Sequence, residues 1–157
     1  MDAEAIAYCC KDERDAIRLC SAWVAHCHLW DDVVDGDAGP ISAERLLNIQ
    51  HSFQLEIAFN PFFERHKLQL LPVMELAYSA WLDSNDWDES GEPGKEVACH
   101  VLKGFWHEFV FMCARLTGGW SHYREVCREY RDYDFECELP SEPDMENRLL
   151  AEHLNTN

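Results

Sequence analysis

Apolar residues recur in this chain every three or four positions, and the segments that show this spacing are separated by glycine and proline. Ile17, Cys20, Val24, Cys27 and Val34 show it first, at steps of three, four, three and seven. An α-helix turns about 100° per residue, so such positions share one face. The period-two alternation that a half-buried strand needs is nearly absent. The expected fold is all-α, an antiparallel bundle of about five helices. The 157 residues suit one domain, able to bury about two-thirds of its unfolded surface.

Capping and breaking residues set the expected boundaries. A first helix is predicted from about Ala3 to Val34, stopped by Gly36 and Gly39-Pro40. The second begins with Ser42 as N-cap and ends before Asn60-Pro61. The third covers Pro61 to Asp83, with a break at Pro72 as the alternative to an unbroken helix. The stretch SNDWDESGEPGKE, Ser84 to Glu96, reads as a long loop. A fourth helix from Gly94 to Leu116 ends at Gly118-Gly119, and a fifth runs from Ser121 to Tyr133. The bundle is expected over residues 1–139. Residues 140–157 read as a polar tail, with Leu149, Leu150 and Leu154 as a weak apolar stripe.

Charge narrows the possible partners. Thirteen Lys and Arg face 30 Asp and Glu, a formal net charge of −17. Nucleic acid and anionic membrane surfaces are disfavoured, while cations, metal ions and basic protein surfaces are favoured. No apolar run approaches membrane-span length, and the N-terminus has no apolar signal core. Eight cysteines occur without any C-x-x-C pair. They read as small core residues with reduced thiols, as in a cytoplasmic protein.

The string HCHLWDDVVDGD, His26 to Asp37, does not fit a solvated helix end. Position 31 fills the gap between Cys27 and Val34, so Asp31 falls on the apolar seam. Asp35 and His28 lie beside it and Asp32 one step further round. Carboxylates crowded at a helix C-terminus repel one another and oppose the macrodipole, and a divalent cation would relieve both penalties. Mg²⁺ accepts a few carboxylates together with water and phosphate oxygens. The alternative is that the helix end splays open and water reaches every aspartate.

A second carboxylate, Glu108, fills the gap between Phe105 and Met112 on the seam of the fourth helix. It is a further candidate metal ligand; the alternative is a buried ion pair with a basic side chain such as Arg18 or Arg115. His100, Lys103 and His107, with Glu96, are expected on another side, solvated or at an interface. On the second helix Leu46, Ile49, Phe53 and Ile57 form the seam, with Glu56 at its rim. Trp23 and Trp30 read as core, and Trp87 as an exposed or contact residue.

The segment DDVVD, within HCHLWDDVVDG, resembles the first aspartate-rich motif of squalene and phytoene synthases, class I isoprenoid synthases. That resemblance implies an all-helical fold with a central cavity. Asp31, Asp32 and Asp35 would there hold Mg²⁺ against the diphosphate of a prenyl substrate, with the ion acting as Lewis acid. The family's second acidic motif has no counterpart here, Asp83 and Asp86 being the nearest candidates, and the chain is about half the usual length. A homodimer is one way to complete such a cavity.

A looser resemblance is to the all-helical nucleotide pyrophosphatases, the MazG-type and dimeric dUTPase families. There Asp31, Asp32 and Asp35 would stand for the E-E-x-x-E motif. The following E-x-x-D is missing, with Glu56 alone and Asn60 only a loose substitute. In either enzyme reading Arg45 is the cation best placed to bind substrate phosphates. Its alternative is a surface arginine paired with Asp37 or Glu44.

Other chemistries find no support. No G-x-S-x-G turn, Gly-rich phosphate loop or paired E-x-x-H motif occurs. Cys27, beside His28 and near Asp31, is a poor nucleophile because nearby acids raise a thiol's pKa. The remaining possibility outside catalysis is an acidic interaction protein that binds a basic partner surface.

Overall fold

Polar side chains at Asp2, Glu13, Ser42 and Asn60 begin four of the helices, each accepting a backbone N–H that helix geometry leaves over. Ser42 receives the Arg45 N–H at 3.1 Å and opens a helix at the predicted place. The computed structural model describes residues 1–36, 39–90 and 95–138. Its α-helical segments are α1 (Ala3–Cys9), α2 (Arg14–Asp35), α3 (Ala43–Phe59), α4 (Pro61–Ser90), α5 (Lys95–Lys103) and α6 (His107–Glu138). One 3₁₀ turn, Gly104–Trp106, links the last two. No strand occurs among the described residues, so the chain is an all-α bundle, as expected. Asp37, Gly94 and the tail from residue 140 lie outside the described residues.

Cross-links give the helix directions. Arg45 at the start of α3 meets Asp32 at the end of α2, while Glu56 at the end of α3 meets Arg18 at the start of α2. These two helices are antiparallel. α4 runs alongside α2: Arg65 meets Glu13 at one end, and Trp81 meets Asp31 at the other. The core forms where α2, α4 and α6 converge on Leu19, Trp23, Phe62, Leu70, Phe109 and Val110. Cys9, Cys10, Cys20, Cys113 and Cys127 are buried within it, the small-residue role expected of them. Burial pushes the Cys9 thiol up to about 12, so it stays protonated and inert.

Several boundaries differ from expectation. The first predicted helix is two. Lys11 and Asp12 adopt left-handed backbone (φ 49° and 57°), and Glu13 begins α2 by accepting the Ala16 N–H at 2.6 Å. Contacts from α6 fix the break: His122 Nε2 lies 3.0 Å from the Cys9 carbonyl at the end of α1, and Thr117 Oγ1 lies 3.5 Å from it. α4 continues to Ser90, through the first half of the predicted loop. Ser84 is buried there, and its hydroxyl donates to the Trp81 carbonyl at 2.7 Å, inside the helix. Pro72 does not end α4. The predicted fourth helix is interrupted by the 3₁₀ turn, where His107 Nδ1 lies 2.9 Å from the Gly104 carbonyl.

The predicted stop at Gly118-Gly119 is where α6 divides into two helical stretches: Gly119 leaves helical geometry at φ 77°, and a Cβ on Gly118 would run into the His122 ring. Val34 is 53 % exposed, so the apolar seam of α2 does not reach its C-terminal end. Leu46 is likewise exposed, and of the predicted α3 seam only Phe53 is fully buried. Ends of helices that extend past their neighbours have nothing to pack against, whatever their spacing suggests.

Candidate functional site

Where α2, α4, α5 and the 3₁₀ turn come together the side chains leave a cavity of about 570 Å³. α2 supplies Trp23, His26, Cys27, His28, Trp30 and Asp31. α4 supplies Ala77, Tyr78, Trp81 and Leu82. The rest of the wall is His100, Lys103, Gly104 and Trp106. Steps of three and four put these residues on single helix faces: 23, 26, 27 and 30 on α2, and 77, 78, 81 and 82 on α4. A volume of this size matches sites for small organic ligands, and aromatic walls are typical of them.

Trp23 forms the floor. It is fully buried, its indole N–H donates to the Trp106 carbonyl at 2.9 Å, and its ring packs 4.8 Å from Phe109. His26 stacks on Phe53 at 4.2 Å, and its Nε2 lies 3.0 Å from the Tyr78 hydroxyl. Burial pushes the Tyr78 phenol up, so that hydroxyl keeps its proton and its hydrogen bond to His26 joins two neutral groups. Burial pushes the Cys27 thiol up too, helped by the Asp31 carboxylate, as the sequence implied.

Burial also lowers the His26 imidazole below its ordinary value of 6.5, opposed only in part by the Gln50 amide. The unfolded chain then takes up a proton at a higher pH than the folded protein does. Stability is full above the ordinary histidine value and falls as pH drops through the lowered one. Denaturant melts between about pH 7.5 and about pH 5 should show this loss, and His26→Gln should flatten that part of the profile relative to the parent.

The three aspartates of DDVVD separate onto three partners. Asp31 accepts the Trp81 indole N–H at 3.1 Å on the cavity wall. Asp32 pairs with Arg45 at 2.8 Å, and Asp35 pairs with Lys103 at 3.6 Å. Among the described residues no three His, Cys, Asp or Glu side chains come together in a way that could hold a metal ion. Asp83, Asp86 and Asp88 are exposed on the last turns of α4. Glu108 is in an ion pair with a basic side chain, one of its two expected roles, and the partner is Arg131. Arg18 binds Asp15 and Glu56, and Arg115 lies over the Trp120 ring.

No family model, curated protein or solved structure matches this chain. The cavity must be read from its own chemistry.

Much of that chemistry was assigned elsewhere by spacing alone. His100 and Lys103 line the cavity and His107 is buried beneath Trp106, where the sequence suggested a solvated or interfacial side. Trp30 is 44 % exposed at the cavity edge rather than in the core. Tyr78, Trp81 and Trp106 were not singled out. The available signal was the Tyr78, Trp81, Leu82 spacing, which gives α4 an amphipathic aromatic face in the stretch level with Asp31. Arg45 is in an ion pair with Asp32 rather than with Glu44.

Proposed function

We propose that this is a small-molecule-binding protein whose site is the cavity between α2, α4 and α5. One observation carries the reading: five large aromatic side chains surround an opening of about 570 Å³ in the bundle. A domain of this size gains stability by filling such a space, so a retained cavity points to a ligand. The apolar wall suits an apolar or aromatic ligand body, and the polar groups Asp31, Lys103 and His100 suit one polar end. No helix among the described residues is long and apolar enough to cross a membrane.

A second reading rests on a different observation. Asp31, the first residue of the D-D-x-x-D segment, lies on the wall of an apolar cavity, and Arg45 and Lys103 stand beside its two companions. That arrangement is compatible with a Mg²⁺-bound diphosphate and a prenyl chain, if Asp32 and Asp35 exchange their ion pairs for the metal. It requires the three carboxylates to converge, so the simpler ligand site is preferred.

Two measurements test these readings. Nile red, an uncharged fluorophore, should bind the parent saturably and bind Leu82→Trp, which narrows the opening, at least several-fold more weakly. Absence of saturable binding by the parent would sink the first reading. In a thermal melt, Mg²⁺ with inorganic diphosphate is expected to leave the midpoint unchanged. A rise that the double variant Asp31→Ala, Asp35→Ala abolishes would instead establish the second.

A further inference from the structure

We propose that the ligand of this cavity is an organic ammonium ion, held by the Asp31 carboxylate and the tryptophan rings around it. This rests on the cavity being a ligand site, and it names the ligand's class.

The argument begins with charge. Two of the carboxylates near the cavity are neutralised in place, Asp32 by Arg45 and Asp35 by Lys103. Asp31 has no ion pair among the described residues, only the Trp81 N–H at 3.1 Å. A half-buried carboxylate with a single neutral donor favours an arriving cation. On the same wall burial pushes His28 toward its neutral form, against the pull of Asp31 and Asp32. Burial keeps His26 neutral and holds the Tyr78 and Cys27 protons in place. The charge of Lys103 is already offset by Asp35. Asp31 is thus the carboxylate of the wall and has no ion pair among the described residues, on a protein of net charge −17 whose long-range field draws cations in and repels phosphates.

The rings supply the second element. Trp23 is engaged by Phe53, Tyr78 and Phe109, and one face of Trp106 is stacked on His107 at 3.5 Å. Trp30 meets only the edge of His26, at 6.4 Å, and no ring packs against Trp81 among the described residues. Trp30 and Trp81 both line the cavity with Asp31, and neither is stacked face to face on another ring among the described residues. Tryptophan is the strongest cation–π partner among the side chains, and several rings around one anion form the usual receptor for a substituted ammonium. The cavity is far larger than an inorganic ion requires, so the cation carries apolar substituents.

The test uses three probes of one shape: benzyltrimethylammonium, its uncharged carbon isostere neopentylbenzene, and the anion benzylphosphonate. Binding is followed by tryptophan fluorescence and by the melting midpoint. The cation is expected to bind at least about tenfold more tightly than the isostere, and benzylphosphonate not to bind. Asp31→Asn should weaken the cation about tenfold and leave the isostere unchanged. Lys103→Gln, which frees Asp35, should strengthen the cation or leave it unchanged. Trp30→Leu keeps apolar bulk at an exposed position, so it remains informative if Asp31→Asn does not fold. It should weaken the cation several-fold more than the isostere. Equal binding of cation and isostere would overturn the proposal and leave the cavity an apolar site. Binding of benzylphosphonate that Lys103→Gln abolishes would overturn it in favour of an anion. If neither these probes nor Nile red binds, the cavity reading itself has failed.

Discussion

Trp23→Ala is expected to lower the free energy of unfolding by about 3–5 kcal/mol, which for a domain of this size moves the melting midpoint down by about 10 °C or more. Trp23 is fully buried in the middle of α2 and contacts rings from three other helices: Phe53 of α3, Tyr78 of α4 and Phe109 of α6. No single neighbour can move in to fill the space, because each is tied to a different helix. The loss is compounded at the 3₁₀ turn. The Trp106 carbonyl accepts the Trp23 indole N–H at 2.9 Å, and without it a partly buried acceptor loses its donor. Trp23→Phe helps separate the two effects, since it keeps most of the apolar volume while removing the N–H. Urea melts of both variants check the expectation. A loss below about 1 kcal/mol for the alanine variant would mean that the α2–α6 contact is not where the bundle is held together.

That residue was legible as core from its position next to the α2 seam, and the reason is local. Caps, breakers and helix spacing are written in a few adjacent letters. Ser42, Asn60-Pro61, Gly36 and the Gly118-Gly119 pair all mark places where the backbone starts, stops or bends. The break after α1 was hard to read, because Asp12 is its one turn-favouring residue and no Gly or Pro marks it. Distant residues set that break, through Thr117 and His122 on the Cys9 carbonyl. The continuation of α4 past Asp83 was hidden in the same way. Its letters are polar, and only the burial of Ser84 against the rest of the fold shows a helix there.

The candidate site divides along the same line. Asp31 was identifiable as a carboxylate out of place because the seam around it is a local pattern. Its environment was not. The indole that binds it lies 50 residues away on α4, and the lysine that takes Asp35 lies on α5. D-D-x-x-D spacing puts Asp31 and Asp35 about 40° apart on the helix and Asp32 about 100° from Asp31. Whether such residues converge on an ion or part toward separate partners depends on the neighbouring helices. Here a tryptophan, an arginine and a lysine stand at the three positions. Those three partners turn the motif from a cluster into one cavity carboxylate flanked by two ion pairs.

Asn60→Ala should cost about 2–4 kcal/mol, a large effect for one small polar residue. Asn60 is 1 % exposed and joins three helices through both ends of its amide. The oxygen accepts the Phe62 and Phe63 N–H groups at 2.8 and 3.0 Å, capping α4 ahead of Pro61. The nitrogen donates to the Asp15 carbonyl at 2.8 Å, which ties α2 to the α3–α4 corner, and to the Glu56 carboxylate. Alanine leaves two N–H groups and a carbonyl without their partner. Asn60→Asp keeps the cap, and a negative charge at a helix N-terminus is favourable. It loses the donor, however, and sets a second carboxylate beside Glu56. The aspartate variant should therefore be less stable than the parent near neutral pH. Like charges raise the pKa of one member of the pair, and the protonated carboxyl regains a donor. Its deficit relative to the parent should shrink as pH falls from about 7 toward about 5, while the deficit of the alanine variant should not. Denaturant melts of the three proteins across that range decide it. An aspartate deficit that does not change with pH would show that donation by Asn60, rather than its neutrality beside Glu56, is what the corner requires.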